Sequence, residues 1–161
     1  MPVPTIEAHR LARYLSEEGQ NSVPHMRPEC SVQVSMVYID NVPHRIQSVF
    51  VSAQYYEGIE RELFAWEMKD YVKEALPDKF VDGDTKIVIK AYGEFDTGPK
   101  SAKVGFTGRR LDVDTYGGFT RNVGGVFSGR TPGFGDRAAA CMARYIAKNI
   151  VAADAADRCE I

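Results

Sequence analysis

Residues 31–54 read SVQVSMVYIDNVPHRIQSVFVSAQ. Within Ser31–Asp40, Val32, Val34, Met36 and Tyr38 recur at every second position, the period of a strand with one buried face. Asp40-Asn41 is a turn signal, because both residue types tolerate a left-handed backbone. His44–Gln54 is a second β-rich run, so the stretch predicts an antiparallel hairpin. Strict alternation places Val37, Ile39, Val49 and Val51 on a second, partly apolar face. Such a face needs a cover, either a further domain or another subunit, and an oligomer is expected.

The flanking segments supply helices. Thr5 to about Glu18 predicts a short helix, with Ile6, Leu11, Tyr14 and Leu15 near one stripe and Thr5 as cap after the prolines. Gln20–Pro28 reads as a polar loop. Gly58–Leu76 is the clearest helix: Ile59, Leu63, Trp66 and Met68 to Val72 form an apolar face, and Pro77 follows. Lys86–Ala91 is a short strand and Leu111–Thr115 a possible one. Asp136–Ala153 is a further helix with Asp136 as N-cap candidate. The tail Arg158–Ile161 reads as the opening of a strand. The expected class is α+β: an antiparallel sheet with helices packed on one face.

Composition excludes several function classes. A chain of 161 residues allows one domain or two small ones, and its 44% hydrophobic content is enough for a core. A net charge of −2 excludes a polyanion binder that works by bulk charge, so no nucleic-acid partner is expected. No apolar run is long enough to span a membrane, and MPVPTIEAHR lacks the basic and apolar segments of a secretory signal. Cys30, Cys141 and Cys159 form no CxxC pair, which argues against structural zinc and a disulfide framework and makes the cytoplasm the expected compartment.

Glycine and charge are unevenly spread. Eleven of the 14 glycines fall between Gly93 and Gly135. From Thr97 to Arg137, seven basic residues (Lys100, Lys103, Arg109, Arg110, Arg121, Arg130, Arg137) face three acidic ones (Asp112, Asp114, Asp136), a balance of +4. Glycine lets backbone N–H groups approach a ligand, and arginine clamps phosphate oxygens bidentately, so the segment suggests an anion site. The alternative is a set of tight turns with solvated arginines. Neither GxxxxGK[ST] nor a GxGxxG after a strand is present.

Gly105–Arg137 reads GFTGRRLDVDTYGGFTRNVGGVFSGRTPGFGDR. It closely resembles the active-site region of S-adenosylmethionine synthetases (methionine adenosyltransferases). MPVPTIEAHRLARYL, MRPE, VFVSAQ and AAACMARYIAKNIVAADAADRCEI resemble further blocks of that family, in the right order. The resemblance implies residues 1–98 as a synthetase-like α+β domain. It implies 99–161 as a phosphate-site segment plus packing helix, the start of an incomplete further domain. It also implies a larger whole: family members build active sites between paired subunits, and their N-terminal motif with a catalytic His and a magnesium-binding Asp has no counterpart here.

The family's reaction has the methionine sulfur attack C5′ of ATP and displace the triphosphate, which is then hydrolysed. Such chemistry needs in-line positioning and neutralisation of the leaving charge. By resemblance, Phe95 matches the aromatic that stacks on adenine, Arg109 a phosphate-binding arginine, and Asp136 a metal-binding aspartate. Arg110 and Arg130 stand where the family has phosphate-binding lysines, and Glu29 replaces an aspartate that contacts the nucleoside. Mg²⁺ carried with ATP is the implied cofactor. Three positions depart further: Lys103 replaces a substrate-binding aspartate, while Phe134 and Ser31 replace lysines. Plainer roles stand beside these: Phe95 as a core aromatic, Asp136 as a helix cap, Lys103 paired with Asp112 or Asp114.

Three functions follow from the resemblance. The chain supplies the ATP or S-adenosylmethionine half-site, as a homo-oligomer or with a synthetase chain that brings the missing motif, and is inactive alone. Or it is a non-catalytic relative that binds ATP or S-adenosylmethionine, or docks on a full-length synthetase. Or it is a truncated remnant, a reading suggested by the end at Ile161 inside an expected strand.

Overall fold

Strands β1 (Met26–Ile39) and β2 (Val42–Tyr55) form the expected hairpin, paired antiparallel from Ile39↔Val42 to Met26↔Tyr55. Asp40 (φ 49°) and Asn41 (φ 63°) make the two-residue turn, both left-handed, as a primed hairpin turn requires. The computed structural model describes residues 1–19, 23, 25–56, 58–93, 116, 119 and 130–161. The expected strand at Leu111–Thr115 lies outside these residues. The chain divides into two units, Met1–Gly98 and Pro99–Ile161.

Both hairpin strands are longer than the alternation suggests, and they are irregular. Ser35 pairs with Ser48 while Met36 pairs with Ile46, so Gln47 is an extra residue, a β-bulge. This corrects the expected second face. Past the bulge, Val49 and Val51 lie on the same side as Ile46, and all three are fully buried. They oppose Val34, Val32 and Met36 and join one core. Ile39 is exposed and Val37 half-buried. A second irregularity falls between Met26 and Cys30, where Pro28 offers no N–H to the ladder.

Helix α1 (Val3–Tyr14) starts earlier than expected, on Pro2, whose carbonyl accepts the Ile6 N–H at 3.1 Å. Pro4 suits the first turn, where an N–H has no intrahelical partner. Thr5 therefore lies inside the helix and is buried rather than capping, while Ile6 faces out. A π-helical turn, Leu15–Gly19, continues it and buries Leu15. Helix α2 (Arg61–Ala75) buries Phe64, Met68 and Val72, one stripe at four-residue spacing. The expected Leu63 and Trp66 are instead exposed, Trp66 to 64%. Leu76 is extended (ψ 147°), the conformation forced on a residue before proline, and ends α2.

Arg10 ties the two helices together. Its Nη2 donates to the Ala75 carbonyl at 2.6 Å, satisfying one of the carbonyls left open at the end of α2. Its Nε lies 3.2 Å from the buried Glu7 carboxylate. Both helices join the core over the same sheet face.

Strand β3 (Lys86–Tyr92) lies beside β2, giving the order β1-β2-β3. It pairs with β2 in parallel, from Ser48↔Lys86 to Gln54↔Tyr92. The α+β class stands, with this parallel join added to the antiparallel sheet. The reason is the connection: α2 carries residues 56–85 back to the starting end of β2 before β3 begins. Thr85 Oγ1 donates to the Ile46 carbonyl at 2.9 Å, beside the bulge where the β1 ladder is interrupted, and Asp82 lies 3.6 Å from Arg45.

In the second unit, α3 (Gly135–Ala152) begins one residue before the expected position. It ends on a left-handed Asp154, with Ala155 N–H donating to Ile150 and Asp154 N–H to Val151, a Schellman motif built without glycine. Residues 158–161 form no strand, against expectation. Among the described residues no helix is long and apolar enough to cross a membrane.

Burial pushes the Cys30 thiol pKa up. A raised pKa leaves less thiolate at a given pH, so Cys30 is expected to alkylate several-fold more slowly than the exposed Cys141 at pH 8. Iodoacetamide labelling followed by peptide mass spectrometry checks it; equal rates would contradict the burial of Cys30.

Candidate functional site

Besides Tyr116 and Phe119, the described part of the basic segment is its last stretch, Arg130 to Arg137. Thr131-Pro132-Gly133 closes a turn in which the Phe134 N–H donates to the Thr131 carbonyl at 3.1 Å. Pro132 presets its own φ for such a turn. The Phe134 carbonyl then accepts the Ala138 N–H at 2.9 Å, the first bond of α3. Phe134, not Asp136, therefore occupies the N-cap position, and it provides no side-chain cap. Asp136 sits in the first turn, where its charge complements the positive end of the helix.

Arg130 is held from two sides. Its guanidinium carbon lies 4.3 Å from the centroid of the Phe134 ring. Its carbonyl accepts a hydrogen bond from Arg137 Nη1. Its Nη1 is 4.0 Å from Asp136 Oδ2, an ion pair longer than a hydrogen bond. Both side chains are exposed, Arg130 to 40% and Asp136 to 82%. Two cations and the unpaired N–H groups of a helix start can hold an anion.

Further along the unit, Arg144 donates to the Tyr116 hydroxyl and lies 5.0 Å from that ring, and Arg158 lies 5.2 Å from the Phe119 ring. Met142, Tyr145 and Ile146 of α3 are exposed.

Of the expected site residues, Arg130 and Asp136 come together. Phe95, Arg109 and Arg110 lie outside the described residues, as does Lys103 and the side chain of Glu29, whose backbone is in β1. Ser31 is exposed on β1, paired with Ser52. The residues that sequence reasoning missed are Phe134 as a platform and Arg137 as an anchor. The available signal was the four-residue spacing of Arg130 and Phe134 across a Thr-Pro-Gly turn.

Among the described residues no three His, Cys, Asp or Glu side chains cluster as a metal cage. Asp136 fits the lesser role of one carboxylate ligand to a magnesium ion that keeps its waters and its nucleotide phosphates.

An α+β sheet unit is followed by a second unit in which Arg130, Phe134 and Asp136 flank the turn that leads into α3. S-adenosylmethionine synthetase, central domain, matches residues 1–95, and S-adenosylmethionine synthetase, C-terminal domain, matches residues 97–161. An S-adenosylmethionine synthase of Corynebacterium kroppenstedtii is 42% identical over 168 residues, which covers 100% of this chain and 42% of the relative. The chain belongs to the S-adenosylmethionine synthetase family, and it spans about two fifths of the length of that curated relative.

Proposed function

We propose that this chain is the nucleotide- and triphosphate-holding portion of methionine adenosyltransferase chemistry, and that it completes an active site with another subunit. The observation that carries this is Arg130, placed just before α3 with its guanidinium 4.3 Å from the Phe134 ring and 4.0 Å from Asp136. Arg130 with Arg109 and Arg110 would neutralise charge growing on the leaving triphosphate, and Phe95 would stack on adenine. Glu29 would contact the nucleoside. Asp136 would hold Mg²⁺ brought by ATP, which when bound neutralises phosphate charge. The exposed apolar residues of α3 support a partner surface. Residues 1–98 and 99–161 are proposed as its two domains.

Calorimetric titration of the chain with ATP and Mg²⁺ tests the reading. Micromolar binding is expected. Arg130→Ala is expected to weaken it about tenfold to a hundredfold, the worth of charge-assisted hydrogen bonds to phosphate, and Phe95→Ala more modestly. Absence of binding would overturn the proposal.

A second reading, a relative that binds without turnover, is favoured by Phe134 and Ser31, which stand where the family's resemblance calls for lysines, and by Lys103, which stands where it calls for an aspartate. Full S-adenosylmethionine formation on adding the chain to a synthetase with a defective phosphate site would exclude it.

A further inference from the structure

The sequence treats Phe134 as a lost charge, but the geometry gives it a task. We infer that Phe134 is a positioning residue that holds the Arg130 guanidinium flat on its ring, with the donor edge turned to an incoming phosphate. This rests on the phosphate-binding reading of Arg130 above.

Phe134 is itself fixed. Its N–H is bonded back to Thr131 and its carbonyl forward to Ala138, so its backbone is tied into the N-cap of an 18-residue helix. The ring lies 4.3 Å from the Arg130 guanidinium carbon, within the distance of a cation–π contact. Arg137 bonded to the Arg130 carbonyl fixes the other end of that residue. Among the described residues no hydrogen bond reaches the Arg130 guanidinium. Asp136 approaches the guanidinium only to 4.0 Å, an ion pair longer than a hydrogen bond, so this carboxylate takes up none of its hydrogen-bond donors. Arg144 differs: it also lies over a ring, but it donates to that ring's own hydroxyl.

The two departures from the family's pattern are therefore complementary. A lysine at 130 would be a point charge on a flexible stem, with no planar face to stack. An arginine on a ring gives up much of its rotamer freedom before the ligand arrives, and binding then loses less. The site should accordingly favour groups that accept two parallel donors, such as a terminal phosphate.

The test is a double-mutant cycle on the full chain, with inorganic tripolyphosphate as probe and calorimetry as readout. Phe134→Leu is expected to weaken tripolyphosphate about two- to fivefold, the size of an exposed cation–π contact. Phe134→Tyr should restore it. In an Arg130→Ala background, Phe134→Leu should change nothing further. An equal loss in both backgrounds, or none in either, overturns the positioning role while leaving the phosphate site standing. If the unmodified chain fails to bind tripolyphosphate, the phosphate-binding reading falls and the role of Phe134 falls with it.

Discussion

Replacing Phe64 by alanine is expected to lower the unfolding free energy of the first unit by about 3–5 kcal/mol. Phe64 is fully buried on α2, with its ring centroid 5.1 Å from that of Tyr55. Among the described residues it is the largest fully buried side chain, and it sits with Met68, Val72 and the β2 valines in one core. Truncation removes its transfer energy and leaves a cavity, because α2 is pinned at its end by Arg10 and cannot easily settle inward. A small domain holds roughly 5–15 kcal/mol in total, so a large part of it would be lost. Trp66→Ala, two residues on and on the exposed face of the same helix, is expected to stay within about 0.5 kcal/mol. Urea unfolding followed by far-ultraviolet circular dichroism separates the two. A larger loss at Trp66 than at Phe64 would mean that α2 packs on a different stripe.

That contrast marks where the sequence was misleading. Leu63 and Trp66 look like core residues because they are large and apolar, and hydrophobicity alone does not say which stripe meets the sheet. The four-residue spacing of Phe64, Met68 and Val72 was the better guide, since side chains at that spacing stack along one line. The hairpin and its Asp40-Asn41 turn were legible, because both depend on local preferences. The parallel entry of β3 was not, because strand direction follows from the path of residues 56–85 and not from the composition of β3 itself.

Of the candidate site, the family resemblance picked out Arg130 and Asp136, which lie 4.0 Å apart across the turn before α3. It could assign Phe134 only a deficit, because a resemblance compares one position at a time. The compensation lies between positions: a ring four residues beyond an arginine matters only once the intervening turn folds one over the other. The helix start shows the same limit. Asp136 is a good capping residue by type, yet the Phe134 carbonyl makes the first helical bond, and this places the aspartate inside the first turn.

Val51→Asp is expected to be the most damaging single change on the sheet, costing several kcal/mol, whereas Phe50→Asp next to it should cost about 1 kcal/mol. Val51 is fully buried on the central strand, opposite Val32 and Ile89. Phe50 points to the other face and is exposed to 37%. The strict alternation read from residues 31–54 puts Val51 on the uncovered face, where an aspartate would be tolerated. The bulge at Gln47 reverses this, and its signal was in the sequence: Ile46 and Val49 are separated by two polar residues where a regular strand allows one. The pair of variants therefore measures the bulge directly. The pH dependence adds a second check. Burial would raise the folded-state pKa of an aspartate at 51 above its unfolded value near about 4. The variant should then be least destabilised below that unfolded value and lose stability as pH rises through the raised folded-state pKa. Thermal unfolding of both variants from acid to neutral pH would show a falling melting temperature for Val51→Asp relative to the unmodified chain. A flat difference across that range, or a loss at Phe50→Asp as large as at Val51→Asp, would place Val51 at the open face and remove the bulge from the fold.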